Sequence, residues 1–449
     1  VFTVLRNILY RHDDKAIAKV NSFMETSVRE SSRQLQSVSG PARITLIQEM
    51  LPTLLSTIFV NVGTYIGAGV ATYRIIVDLT SKWLGDAPEL GSISKSPPGN
   101  VTTEMGLALG DVADVVRAYP TVVAYLRQAQ DPTFWEGLKA VDGGKEVFPV
   151  LSAFFALYGM RGTGEIDVTR PRWRETPTQL VPAILNHLKN SRPGQHRQDF
   201  QAGQIAAEQA VESLILRLRQ SSGGMLKSLL IRRLIKVHRA VIGIREHPKY
   251  LIVQILDLIK QALLQESAQL VEAGILADPE EIFWFSLTEI KALLSTRQVE
   301  HTLVARRREK FQRDAKLTPP RAFTSQGEII TAKLRTQVPP GALAGSAVSA
   351  GVVEGRARVV LKLENASMEK GDILVAPYTD PAWTPLFPLA GGLVTEVGGL
   401  MTHGAVVARE YGIPAVVGVD NATAKIKDGQ LIRVDGTHGI VILDPTPRK

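Results

Sequence analysis

The feature that most constrains the fold is a change of hydrophobic period at Gly341. Before it, apolar residues recur every three or four positions, as in Ile205–Leu218, Met225–Ile242 and Leu251–Leu270, the spacing of one helix face. After it, short apolar runs are cut by glycine turns: Gly351–Leu361, Asp372–Ala376, Gly391–Val394, Pro414–Val417, Leu431–Val434 and Ile440–Leu443. These read as strands. Two short helices fit between them, Pro381–Leu389 and His403–Tyr411, with Gly412 as a natural stop for the second. The reading is multidomain: a mostly α-helical domain over 1–320, a linker over 321–340, and a compact α/β domain over 341–449. Local punctuation agrees. Asp278-Pro279-Glu280-Glu281 has the form of a helix start, Arg306–Lys316 reads as a solvated charged helix, and Leu317-Thr318-Pro319-Pro320 ends it. Val338-Pro339-Pro340-Gly341 closes the connector.

The chain contains no cysteine, which excludes disulfides, thiolate metal sites and cysteine nucleophiles and fits a cytoplasmic setting. A formal net charge of +8 suits anionic partners such as ATP. No arginine-rich arm or aromatic platform accompanies it, so nucleic acid is not expected. Residue 1 is valine, which suggests a fragment or a processed product. Leu51–Tyr73 is uncharged and long enough to cross a bilayer. Its many threonines, serines and glycines favour a buried helix of a soluble protein with small-residue packing, and no membrane contact is expected.

The sharpest motif is Thr395-Glu396-Val397-Gly398-Gly399-Leu400-Met401-Thr402-His403-Gly404-Ala405-Val406-Val407-Ala408-Arg409-Glu410, continuing Tyr411-Gly412-Ile413-Pro414-Ala415-Val416-Val417-Gly418. A strand ends, a glycine turn exposes backbone, and a histidine opens a helix. The first N–H groups of a helix lack internal partners and its dipole favours negative charge there, which suits a phosphate. Imidazole is a good nucleophile near neutral pH. His403 is thus the candidate phosphoryl carrier, with Gly398, Gly399, Thr402, Gly404 and Arg409 as phosphate-loop support. Small Gly404 and Ala405 would leave room for the group, and Thr402 and Arg409 could bond or neutralise it. A histidine at a helix start, taken alone, is more often a capping or core residue.

The motif resembles the mobile domain of the phosphoenolpyruvate-utilising enzymes, in which a Gly-Gly-x-x-(Thr/Ser)-His-(Ala/Gly)-Ala run holds a phosphorylated histidine. The likeness extends through Gly412-Ile413-Pro414-Ala415-Val416, the Gly345–Gly355 segment and Lys370-Gly371-Asp372-Ile373-Leu374-Val375. Gly404 stands where alanine is commoner. Only about 46 residues follow His403, too few for the pyruvate-binding barrel that follows this domain in the dikinases. The order instead resembles the rifampicin phosphotransferases. Three helical segments carry that resemblance: Tyr158–Trp173, Ile244-Arg245-Glu246-His247-Pro248-Lys249-Tyr250, and Phe283-Trp284-Phe285-Ser286-Leu287-Thr288-Glu289.

The resemblance implies a dikinase-type phosphotransferase in which the ATP β-phosphoryl group passes through His403 to a hydroxyl of a rifamycin antibiotic. ATP and Mg2+ would sit on an ATP-grasp domain, in cis or in trans, for which no glycine-rich lysine loop is found here. The alternative is a synthase-like phosphotransferase or phosphocarrier paralogue serving another hydroxylated acceptor. Arg245 and Lys249 are the implied cationic grip on the phosphohistidine, four apart and on one face if helical, although Pro248 intervenes; the bland reading is a solvated basic face paired with Glu246. His247 is a weaker choice for general base. Arg161, Glu165, Asp167, Arg170 and Arg172 are either a buried ionic network or part of a docking surface. Asp380 and Trp383 are read as fixing the loop that opens the first helix of the α/β domain.

Overall fold

The computed structural model describes residues 15–317, 323–328, 339, 341–363, 366–399 and 402–445. Most of the expected linker, Pro319, Pro320 and Pro340 of the proline pairs that bound it, and the Leu400-Met401 pair of the motif lie outside the described residues.

The described residues from Ala16 to Asp314 are mostly helical. The longest helices are α1 (Ala16–Gln36), α2 (Gly40–Asn61), α3 (Gly63–Leu84), α4 (Val101–Arg117), α5 (Gly144–Tyr158), α6 (Gln195–Arg219), α7 (Gly224–Val241) and α8 (His247–Glu272). The three periodic runs of the sequence coincide with α6, α7 and α8, except that Ile242 opens the turn after α7. One core joins α1, α2, α4, α5 and α8, through residues such as Ile44, Met105, Leu151 and Leu251. A second joins α3, α6 and α7 through Ile76, Leu214 and Ile231. Small residues let α3 approach closely: a Cβ on Gly69 would stand 3.2 Å from Val241 Cγ2.

The apolar stretch Leu51–Tyr73 is not one buried helix. It divides at Val62 between α2 and α3. Among the described residues, α2 alone is long and apolar enough to cross a membrane, and only 22% of that window is buried. Phe59 and Val60 are 75% and 70% exposed on its outer face. Pattern alone could not foresee this, because burial depends on what packs outside the helix. Asp278 does cap a helical start, but the element is a 3-10 turn, Pro279–Trp284.

Among the described residues after Gly341, the strands form an eight-stranded mixed sheet: β1 (Ala342–Ala344), β2 (Ser346–Ser349), β3 (Val352–Val359), β4 (Ile373–Ala376), β5 (Gly392–Thr395), β6 (Ala415–Val417), β7 (Leu431–Asp435) and β8 (Ile440–Leu443). The order is β1-β8-β7-β3-β4-β5-β6-β2. Strands β3 to β6 run parallel, and the pairings that involve β1, β2, β7 and β8 are antiparallel. Gly345 alone separates β1 from β2, yet they pair at opposite ends of the order. Consecutive Cα atoms are ~3.8 Å apart, so the sheet curls until its two ends meet. β4, β5 and β6 are buried on both faces, which explains their unbroken apolar runs. One face packs Leu374 and Leu393 against Trp383, Phe387 and Val407; the other packs Ile373, Val394 and Val416 against Ile432 and Val434. The helix read over Pro381–Leu389 is a 3-10 helix, Pro381–Leu386, and helix α9 spans His403–Tyr411.

Candidate phosphoryl-carrier site

β5 delivers the chain to the glycine turn, and α9 begins at His403. Thr402 is the N-cap residue, but its hydroxyl turns back to donate to the Gly399 carbonyl at 2.9 Å, and no side chain caps the helix. Gly398 and Gly399 flank that turn. The start of α9 therefore keeps its N–H groups uncapped by side chains, the arrangement that favours an anion.

His403 lies against the helical region rather than in open solvent, its side chain 9% exposed. Its Nε2 is 3.3 Å from Thr384 Oγ1. Thr384 already donates to the Pro381 carbonyl at 2.7 Å, so its oxygen can accept from Nε2 only when that nitrogen carries a proton, as in the doubly protonated ring. The Phe387 ring stands edge-on to the imidazole. On the other side, His403 Nδ1 is 3.5 Å from Glu246 Oε2, an ion-pair distance longer than a well-formed hydrogen bond.

Glu246 ends a 3-10 turn, Ile242–Glu246, that feeds directly into α8. Pro248 falls in the first turn of α8, where its missing N–H costs nothing. Arg245 pairs with Glu246. Burial would push the Glu246 carboxyl up, but His403, Arg245 and Arg161 together hold it far below the usual carboxylate range. It is a carboxylate at any pH where the protein would work.

Lys249 does not stand alone on a basic face. Its Nζ is 3.0 Å from Glu165 Oε1, and Glu165 also accepts from Arg161 Nε at 2.7 Å and Nη2 at 3.0 Å. Arg161 and Glu165 are fully buried. Burial opposes charge on Glu165, and Arg161 followed by Lys249 outweighs it. The two groups singled out in the sequence thus form one layer. Asp167 and Arg170 are not in it: they pair loosely at 3.7 Å on the surface. Arg172 is buried and donates to the Glu165 carbonyl at 2.7 Å. Asp380 caps the 3-10 helix at Ala382 and also accepts from the Gly164 N–H at 3.1 Å, so it ties the α/β region to this network. Trp383 is buried in the core beneath.

Arg409 lies six residues beyond His403, about 9 Å along the helix axis, and donates to the Val348 carbonyl at 2.9 Å, which fastens α9 to β2. Two expectations change. Gly404 is small for packing, since an added Cβ would come 2.3 Å from Thr379 Oγ1. His247 turns away to Asn21 Oδ1, 3.0 Å from its Nε2. Burial pushes it down to about 4, and it does not reach His403. Sequence reasoning treated Glu246 only as an ion-pair partner and passed over Thr384. The signal for Glu246 was its place between Arg245 and Lys249; Thr384 carried none.

Residues 61–246 match the family described as "Rifampicin phosphotransferase fourth domain", and residues 368–439 match "PEP-utilising enzyme, mobile domain". The rifampicin phosphotransferase of Bacillus subtilis is 43% identical over 96% of this chain and 50% of its own length. That of Bacillus cereus is 43% identical over the same shares. That of Streptomyces sviceus is 48% identical over 83% of this chain and 43% of its own. The chain thus spans about half the length of the curated relatives it matches.

Proposed function

Because this chain belongs, over the half that it spans, to the rifampicin phosphotransferase family, we propose that it carries a phosphoryl group on His403 and delivers it to a hydroxyl of a rifamycin antibiotic. The observation that carries this reading is the meeting of His403 with Glu246 across the seam between the helical and α/β regions. Arg245 and Lys249 stand on the same short segment. The net reaction is ATP, rifampicin and water to AMP, phosphate and phosphorifampicin, with ATP and Mg2+ bound by an ATP-grasp domain in cis or in trans. On this reading residues 1–320 bind the acceptor and 341–449 swivel.

In the chemistry proposed, ionised Glu246 favours the proton on Nδ1 and leaves the Nε2 lone pair for phosphorus. In the second half, the acceptor oxygen bonds to phosphorus as the N–P bond breaks. The released ring nitrogen regains the electron pair that takes up the hydroxyl proton. Arg245 and Lys249 offset charge on the transferring group, which is most of what phosphoryl transfer asks of a protein. Thr384 and Phe387 hold the ring plane.

The test uses the full-length parent, or this chain with a cognate ATP-grasp domain, incubated with ATP, Mg2+ and rifampicin. Mass spectrometry should find phosphorylated drug and AMP, and both the drug product and the phosphohistidine should vanish in His403→Ala. Phosphohistidine without drug product would keep the carrier and remove rifampicin as acceptor. Drug product in His403→Ala would overturn the carrier.

A further inference from the structure

At the far end of α9 from His403, Glu410 is buried in the same seam. Its partners come from the N-terminus of α4, more than three hundred residues away. Asn100 Nδ2 donates to both carboxylate oxygens at 2.7 Å, and Thr103 Oγ1 donates at 2.8 Å. The Asn100 amide oxygen meanwhile caps α4, accepting from the Thr102 and Thr103 N–H groups. The Glu410 carbonyl accepts from Ser96 N–H at 3.4 Å. Gly412, with φ +69, lets the chain turn away directly beneath Lys95. Nothing in the phosphoryl chemistry above uses Glu410.

We propose that Glu410 is the positioning residue that seats the histidine helix on the helical region: its carboxylate, gripped by the cap of α4, sets the register of α9 so that His403 meets Glu246. The consequence for transfer rests on the proposed function; the seat itself does not. Any movement of the α/β region away from the helical region must strip Asn100 and Thr103 from Glu410 and return the carboxylate to water. The seat also binds a proton more readily than the free side chain. Burial pushes the seated Glu410 up to about 7, against the hydrogen bonds from Thr103 and Asn100. The charged groups around it are Lys95 of the preceding loop, His196 and Asp199 of α6, Arg245 and Glu246 before α8, and Arg409 on α9 itself. A cavity of about 370 Å3, lined by Lys95, His196, Asp199 and Phe387 among others, opens beside the carboxylate and gives protons a route to it. A carboxyl raised in the seated state favours seating most below its free value of about 4.5 and loses that advantage as pH rises through about 7.

The test exploits the absence of cysteine. Gln209→Cys on α6 and Lys427→Cys in the α/β region, both exposed, carry spin labels, and pulsed dipolar spectroscopy reads the distance between them at pH 6 and pH 8. The decisive variant is Asn100→Asp, which keeps an N-cap of equal quality but sets a carboxylate against Glu410. The seated distance should lose population about tenfold or more at pH 8, less at pH 6. Adding Glu410→Gln re-forms an amide–carboxylate pair with the roles exchanged and should restore the seated distance at both pH values. A seated population unmoved by Asn100→Asp, or a double variant as displaced as the single, would overturn the seat. Circular dichroism melts of each variant confirm folding. The measurement involves no phosphoryl chemistry, so it stands or falls separately from the carrier reading.

Discussion

Glu246, facing the first residue of α9, and Glu410, near its last, lie in one seam and are almost equally buried, yet their environments drive them in opposite directions. Glu246 faces a histidine and two arginines, and is held firmly ionised. Glu410 faces an amide and a hydroxyl, neutral donors that soften burial without cancelling it, and is pushed up to about 7. Burial supplies the same penalty in both places; what differs is whether a full or a partial charge answers it. On the carrier reading, one end of α9 thereby sets fixed charge beside the reacting ring, and the other makes the contact that we propose is made and released.

The comparison can be broken most forcefully through the cations. Arg161→Leu removes the buried one of the two cationic partners of Glu165 and a source of field at Glu246, and should destabilise the protein by about 3–5 kcal/mol in denaturant titrations. A loss below ~1 kcal/mol would mean that the layer is not held by charge. Glu246→Gln keeps the shape and removes the charge; acceptor phosphorylation should slow by roughly 10- to 100-fold, followed by mass spectrometry of the product. An unchanged rate would separate Glu246 from the ring.

A pH series sharpens the contrast further. His187, His238 and His247 are each pushed down to about 4, chiefly by burial. A depressed histidine stabilises fully above its free value of about 6.5 and loses that contribution as pH falls toward 4, about 2 kcal/mol for each by pH 5. Global stability should therefore fall between pH 7 and 4.5 while seating strengthens over the same interval. Parallel trends in melting temperature and label distance would contradict the assignment of Glu410. The smallest effect belongs to Glu410→Gln alone, which should shift stability at pH 8 by no more than about 1 kcal/mol, in the stabilising direction, because a neutral amide escapes the burial penalty.

How much of this was legible follows from the range of each interaction. The strand, glycine turn and histidine helix are written in one continuous run, so Thr395–Gly418 could be read locally. The periods that mark α6, α7 and α8 are local too. β1 and β2 were missed because each is three or four residues long and is defined by pairing with β8 and β6 near the chain's end. The Glu165–Lys249 and Glu410–Asn100 contacts join residues far apart, and no single-sequence pattern marks them. Arg409 shows the same limit: its place in the motif was legible, and its bond to the Val348 carbonyl, 61 residues away, was not.

The single glycine between β1 and β2 bears on life outside the seam. A sheet whose first and last strands are one continuous stretch of chain offers no long unpaired ladder for a neighbouring molecule to join. On the carrier reading, the α/β region leaves its seat in every cycle and travels on a linker. A unit that is repeatedly detached at cellular concentrations is exposed to self-association each time. On that reading, folding the sheet back on Gly345 leaves only the short strands β1 and β2 at its ends, so that the proposed motion exposes little edge to a neighbour.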